Sequence, residues 1–442
     1  MLAGNTTQTG LTGTRKARMP KIPAYVSALL AALKFQGAQP ELLRALDNAG
    51  WRRLLSYCDK MHLTLHFGQV CRDQLPDWVR SRIDHNLSDN TQRFDLLKKA
   101  YAGVASALRS AGADHLVLKG FAQWPGYARD MLRRMQWDID LYCPPESISR
   151  ARDALLALGY EPLEGMESFP SDHLPSMIRN TGWKWRGDSF DPQIPHSVDL
   201  HFCFWNEKNL HFSAQGLDQF WRRRAEGHVD GIAFPALDPV DSLAYSALHA
   251  LRHLLCGGGL ITFHIYELAW FLNTAADDTA FWSRWRECHH VSLRRLEAIC
   301  FALAKNWFNC RLPAGAQEEM DSLPEGTKQW LCTDARSSLY TVFRPNKSTL
   351  WLHLSLLESS RDRRTVLRRA LFPMRIPAAD ASYVQNSAAR GQTQRRGVLA
   401  RRGRHLVYLA GRAAYHLRVL PETVWRGFRW WLGTKISHGV RL

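Results

Sequence analysis

The sequence predicts an α+β protein: a small mixed sheet preceded by helices and followed by a larger helical region. Three observations predict it. Short apolar runs at His115-Leu116-Val117-Leu118, Asp138 to Cys143 and Ser197 to Phe204 have the length and composition of strands. Segments of helical period alternate with them between residues 99 and 235, as in a compact sheet domain. Beyond Pro235 and Pro239 the apolar spacing becomes almost wholly helical.

Taken in order, residues 1–23 are rich in Thr, Gly and basic side chains without an apolar period and read as a disordered basic tail. An N-terminal helical region follows over 24–98. In it, Pro40 to Leu65 carries helical spacing, and Pro76 to Ile83 starts a short helix with Pro near its first turn. Asn90 to Ser110 predicts a longer helix that stops at Ala111-Gly112.

The sheet domain spans 99–235. Its first strand ends at Lys119-Gly120, and a helical segment from Phe121 to Met131 is interrupted by Pro125-Gly126. Pro144-Pro145 ends the second strand, and Ser147 is the expected N-cap of a helix running to Leu158. Strands are expected around Ile178 to Trp185 and Ser197 to Phe204.

The helical domain over 236–376 contains Asp241 to Leu255, Ile261 to Leu272, Phe281 to Cys288, Leu293 to Trp307 and Ser348 to Leu371. Residues 377–403 shift to Ala, Ser, Gln, Gly and Arg, a linker composition. The end, 404–442, reads as a basic, Trp-rich amphipathic helix.

With 442 residues, 45% of them hydrophobic, the chain can bury a large core. Its net charge of +17 suggests a polyanionic partner until its location is considered. Residues 390–442 carry twelve Lys or Arg against Glu422 alone, and residues 1–23 carry four basic residues and no acid, which leaves the body near +2. Basic ends suggest tethering rather than a polyanion-binding cleft. The terminal Trp425, Trp430 and Trp431 among arginines suit an anionic membrane surface, with nucleic acid a less favoured partner and a helical cap the plain structural alternative.

Nine scattered cysteines without a C-x-x-C pair fit a reducing compartment, so the expected location is cytoplasmic, peripheral at the inner membrane surface. The apolar run Ala24 to Leu33 closes on Lys34 and reads as a helix rather than an export signal.

Period-2 alternation places Asp138 and Asp140 on one strand face while Ile139 and Leu141 point into a core. Hard carboxylate oxygens converging in this way suit Mg2+, with Mn2+ as a substitute, and two ions can clamp an in-line phosphoryl displacement. Asp199 on a neighbouring strand completes the set, and His201 shares its face. Gly120 allows a phosphate to approach the backbone, and Lys119 and Arg134 supply positive charge. His249 and His253, one helical turn apart with His264 and Glu267 downstream, are expected to be satisfied interior histidines rather than metal ligands.

The Leu118-Lys119-Gly120 strand end, Arg134-x-x-x-Asp138-Ile139-Asp140-Leu141, the helix closing on Leu158-Gly159-Tyr160, and Val198-Asp199-Leu200-His201 together resemble the uncharacterised nucleotidyltransferases of the DNA polymerase beta-like superfamily. The resemblance extends from about Trp51 to Pro373. It implies a nucleotidyltransferase palm in which Asp138, Asp140 and Asp199 are catalytic metal ligands for two Mg2+ ions. Lys119, Gly120 and Arg134 would bind an NTP, and a hydroxyl would accept the nucleoside monophosphate. The chain departs from the superfamily where a Gly-Ser or Gly-Gly turn is usual, having Lys119-Gly120-Phe121 instead, and Trp137 stands where Gly is common. A degenerate palm that binds nucleotide or tethers to membrane without catalysis therefore remains the alternative. A glycosyltransferase using Asp-x-Asp fits less well, because the preceding residues look helical.

Overall fold

The computed structural model describes residues 22–163, 172–256, 260–372 and 398–437. The expected basic tail up to residue 21 and the expected linker from 377 to 397 lie outside the described residues. Among those described, the strands form one mixed sheet: β1 (Leu116–Val117), β2 (Asp138–Tyr142), β3 (Tyr160–Pro162), β4 (Met177–Arg179), β5 (Ser197–His201), β6 (Ala225–Val229) and β7 (Ile232–Ala236). Their order is β3-β4-β5-β2-β1-β7-β6. β2 runs parallel to β5 and β1 parallel to β7, and the other pairs are antiparallel.

The alternation of side chains divides the sheet into two unlike faces. Val117, Ile139, Leu141, Val198 and Leu200 point into one core with Phe94, Leu97, Tyr101, Val104 and Leu108 of the Asp77–Ser110 helix and Ala151 and Leu155 of the Ile148–Ala157 helix. The opposite face, with Leu116, Leu118 and Tyr142, meets the core that contains the Pro239–Leu255, Thr262–Thr274 and Val291–Phe308 helices. The carboxylates of β2 and β5 belong to this second face. They are therefore enclosed between sheet and helices.

Several local expectations change. The two helices expected over 76–83 and 90–110 are one continuous helix, Asp77–Ser110. Their join escaped the apolar period because its inward positions are polar: Asn86, Asn90 and Arg93 are buried. Asn90 Nδ2 donates to the carbonyls of Leu132 (2.7 Å) and Arg134 (3.1 Å), and the Arg93 guanidinium donates to those of Asp191 (2.9 Å) and Gln136 (3.2 Å). The long helix thus holds the strap that feeds β2.

Phe121 to Met131 is not a helix. It forms only short 3-10 turns at Gly120–Gln123 and Met131–Arg133, on either side of Pro125, as a proline without an amide donor would enforce. Ser147 stands at the N-cap position of the next helix, as expected, but its side chain makes no capping bond; its Oγ accepts from the Asp114 amide at 3.3 Å. The segment 348–371 is two helices, Thr349–Leu356 and Ser360–Leu371, the second capped by Ser359. The β6-β7 hairpin was not anticipated. Its turn, Asp230-Gly231, has φ of 45° and 78°, the left-handed pair that a two-residue hairpin needs.

The C-terminal helix, Val398–Ser437, begins before residue 404, where it was expected, and is attached to the body. Arg426 pairs with Asp334 and Glu422 and donates to Tyr340, Trp430 donates to the Gly326 carbonyl at 2.7 Å, and Trp430 stacks on Trp351. No helix among the described residues is long and apolar enough to cross a membrane.

Candidate functional site

The parallel register of β2 and β5 pairs Asp138 with Ser197, Asp140 with Asp199 and Tyr142 with His201. Partners in register point to the same side of a sheet, so all three predicted aspartates share one face. Asp140, Asp199 and His201 form the tightest group: their ligand atoms lie within 4.8 Å of one another. Asp138 stands at the strand's open end, with 36% of its side chain exposed against 2% for Asp140.

β1 delivers Lys119 into this group. The Leu118 amide donates to the Asp140 carbonyl at 3.0 Å, and the next side chain reaches between the carboxylates. Lys119 Nζ is 3.1 Å from Asp140 Oδ2 and 3.6 Å from Asp138 Oδ2. Burial opposes its charge, but the three aspartates more than offset this and raise its pKa.

From the other side, His201 Nε2 is 3.1 Å from Asp140 Oδ1, and its Nδ1 faces Asp172 at 3.7 Å. Asp172 in turn pairs with Arg252 from the Pro239–Leu255 helix. Burial works against an imidazolium, yet these two carboxylates prevail and hold His201 up to about 9. Asp140 is depressed despite burial, because Lys119 and His201 favour its charge. Asp138 is raised, first by removal from water and then by repulsion from Asp140.

Asp199 Oδ1 is buried without a hydrogen-bond partner among the described residues, while Asp140 Oδ2 is met by the Lys119 ammonium at 3.1 Å. Leaving a buried carboxylate oxygen unmet is costly. The chemistry and proximity of the two carboxylates fit a hard divalent cation held by oxygen. His201, already bonded to Asp140, orients that carboxylate.

The other predicted contacts are engaged differently. Gly120 has φ +75°, and a Cβ there would come within 2.2 Å of the Gln136 amide. The amides of Gly120 and Phe121 donate to the side-chain oxygens of Gln123 (3.2 Å) and Gln136 (3.0 Å). Arg134 is buried and pairs through two nitrogens with Glu267, at 2.7 and 3.3 Å. Both residues shape the Lys119 turn and fasten it to the helices.

Sequence reasoning missed Asp172, Arg252, Gln123 and Gln136, and the pairing of Glu267 with Arg134. No local period marks them: Gln123 bonds the Gly120 amide from an irregular strap, and the others act across longer chain separations. A cavity of about 10 Å³ behind Lys119 is lined by Gln123, Tyr245, His249, His264 and Glu267, which is space for about one water. A larger cleft of about 460 Å³ lies on the segment between β4 and β5, lined by Trp183, Lys184, Arg186 and Gln193. Arg93 ties that segment, through the Asp191 carbonyl, to Gln136, two residues before Asp138.

No curated protein and no solved structure matches the chain. The family model of uncharacterised nucleotidyltransferases matches residues 27–309, beginning upstream of Trp51 and stopping short of the Leu371-Phe372 end of the expected resemblance. With more than half its length matched, including every strand and each carboxylate of the site, the chain belongs to the family of uncharacterised nucleotidyltransferases.

Proposed function

We propose that this protein transfers a nucleoside monophosphate from an NTP to a hydroxyl acceptor and releases pyrophosphate. The observation that carries the reading is the in-register pair Asp140 and Asp199 on one sheet face, with Asp199 Oδ1 buried and lacking a hydrogen-bond partner among the described residues. Asp138, Asp140 and Asp199 would hold Mg2+, two ions in the full site. When bound, Mg2+ supplies Lewis acidity toward the phosphate and the acceptor oxygen.

The protein's own residues do the positioning. His201 and Lys119 fix Asp140 from opposite sides, and Lys119 is the cation nearest the incoming phosphates. Gly120 and Arg134 support nucleotide binding by setting the backbone turn from which Lys119 projects. The cleft between β4 and β5 has the volume of a small-molecule site; Trp183 offers an aromatic face to a base, and Lys184 and Arg186 offer charge to phosphates.

The test incubates the protein with each labelled NTP, Mg2+ and cell extract. Pyrophosphate release and a labelled product, both abolished by Asp138→Asn, support the transferase. The amides of Gly120 and Phe121 are already bonded to side chains, which favours a second reading, a non-catalytic nucleotide-binding palm. Nucleotide binding without pyrophosphate release would select it.

The C-terminal helix supports a peripheral membrane location at the cytoplasmic face. It exposes Leu417, Val424, Trp425, Phe428 and Trp431, with Arg418, Arg429 and Lys435 along the same helix. That combination suits anionic lipid.

A further inference from the structure

Behind Lys119 the Pro239–Leu255 and Thr262–Thr274 helices bring three histidines together. His249 and His253 are one turn apart on the first helix, and His264 comes from the first turns of the second. Their candidate ligand nitrogens lie within 4.8 Å of one another. His249 Nε2 is 3.2 Å from His253 Nε2 and 3.3 Å from Lys119 Nζ.

Hydrogen bonding accounts poorly for this arrangement. A neutral imidazole nitrogen has one in-plane lone pair or one proton. If His249 Nε2 accepts from Lys119, His253 Nε2 must either compete for the same lone pair or oppose it with its own. If His249 Nε2 carries the proton and donates it to His253, the Lys119 ammonium is left 3.3 Å from a nitrogen that cannot accept from it. Burial, reinforced by nearby cations, keeps all three rings neutral, and neutral imidazole is the form that ligates a metal.

The spacing also has a metric meaning. Two nitrogens bound to one tetrahedral zinc at roughly 2.0–2.1 Å stand about 3.3 Å apart, close to the 3.2 Å separating His249 and His253. The water-sized cavity lined by His249 and His264 provides room for a fourth, solvent-derived ligand. Lys119 is the group a bound ion would repel, and Asp138 and Asp140 on its other side can receive its ammonium.

We propose that His249, His253 and His264 form a binding site for a borderline divalent transition metal of the zinc type, separate from the carboxylate site and joined to it through Lys119. Imidazole-only donors select such an ion over Mg2+, which demands oxygen.

The test loads the full chain with Co2+ or Zn2+ alone. One equivalent of Co2+ should survive desalting and show the visible absorption of a tetrahedral, nitrogen-ligated ion. His253→Gln and His264→Gln, checked for folding by circular dichroism, should weaken retention by more than about 100-fold, since even outer-shell partners cost roughly 10–100-fold. Asp199→Asn, which removes a carboxylate of the proposed transferase centre and leaves the Asp138 and Asp140 contacts of Lys119 in place, should leave retention unchanged, which separates this site from that centre. X-ray absorption at the zinc edge of the unaltered chain should show three imidazoles, independently of whether the variants fold. No retained metal, retention unaffected by the histidine changes, or an oxygen-dominated shell would overturn the proposal.

Discussion

Lys119 Nζ lies 3.1 Å from Asp140 Oδ2, so the ammonium delivered by β1 stands against a carboxylate that the proposed chemistry assigns to a metal. With Asp140 almost fully buried, this cation and His201 are what allow it to remain charged. Replacing Lys119 by Met leaves Asp140 short of charge compensation. Breaking such a buried pair costs about 3–5 kcal/mol. Thermal melts should show the loss, and Mg2+ should restore more stability to the variant than to the parent.

The same contacts separate the effects of the two β2 aspartates. Asp140→Asn leaves both Lys119 and His201 poorly compensated and should cost stability as well as transfer. Asp138→Asn removes a carboxylate that Asp140 repels and should leave stability within about 1 kcal/mol while transfer falls by orders of magnitude. Paired melting and pyrophosphate-release assays would show the difference. Equal destabilisation of the two variants would contradict the charge balance described.

Gly120→Ala meets two obstacles, a φ of +75° and a Cβ position 2.2 Å from Gln136. The left-handed backbone alone costs about 1–2 kcal/mol. Adding Gln136→Ala should recover part of the stability by removing the clash, while the backbone cost remains. Denaturant melts of the single and double variants measure both contributions.

His289 provides a pH response remote from the carboxylates. It is fully buried between Asp241 and Glu297, at 3.2 and 3.0 Å. Burial disfavours its charge, but the two acids raise it from 6.5 to about 9. Because the folded form holds the proton more tightly, the stabilisation is complete below about pH 6.5 and is lost as pH rises through about 9. The loss is on the order of 3–4 kcal/mol, at about 1.4 kcal/mol per pH unit. Denaturant melts between pH 6 and 9.5 should show this slope, and His289→Gln should flatten it.

The C-terminal helix calls for surface substitutions rather than truncation. Arg426 and Trp430 tie it to the body, so removing it should also destabilise the helices beneath. Changing exposed Trp425, Phe428 and Trp431 together to Ser should preserve the fold and weaken binding to anionic vesicles by at least about tenfold, given roughly 1.5–3 kcal/mol for each large apolar side chain buried. Undiminished vesicle sedimentation would assign the helix a structural role alone.

The chain by itself determined the α+β class, the shared strand face of Asp138 and Asp140, and the helical character of the region after Pro239, because strand and helix periods are local properties of sequence. It also contained an unread hairpin signal in Asp230-Gly231. Only the tertiary structure decided that Asp199 stands in register with Asp140, that Asn90 and Arg93 hold the strap before β2, and that Arg134 is paired with Glu267. The physical reason is that buried polar groups must find partners wherever the fold supplies them. Lys119 meets His249 across 130 positions of chain, and no local period encodes that meeting.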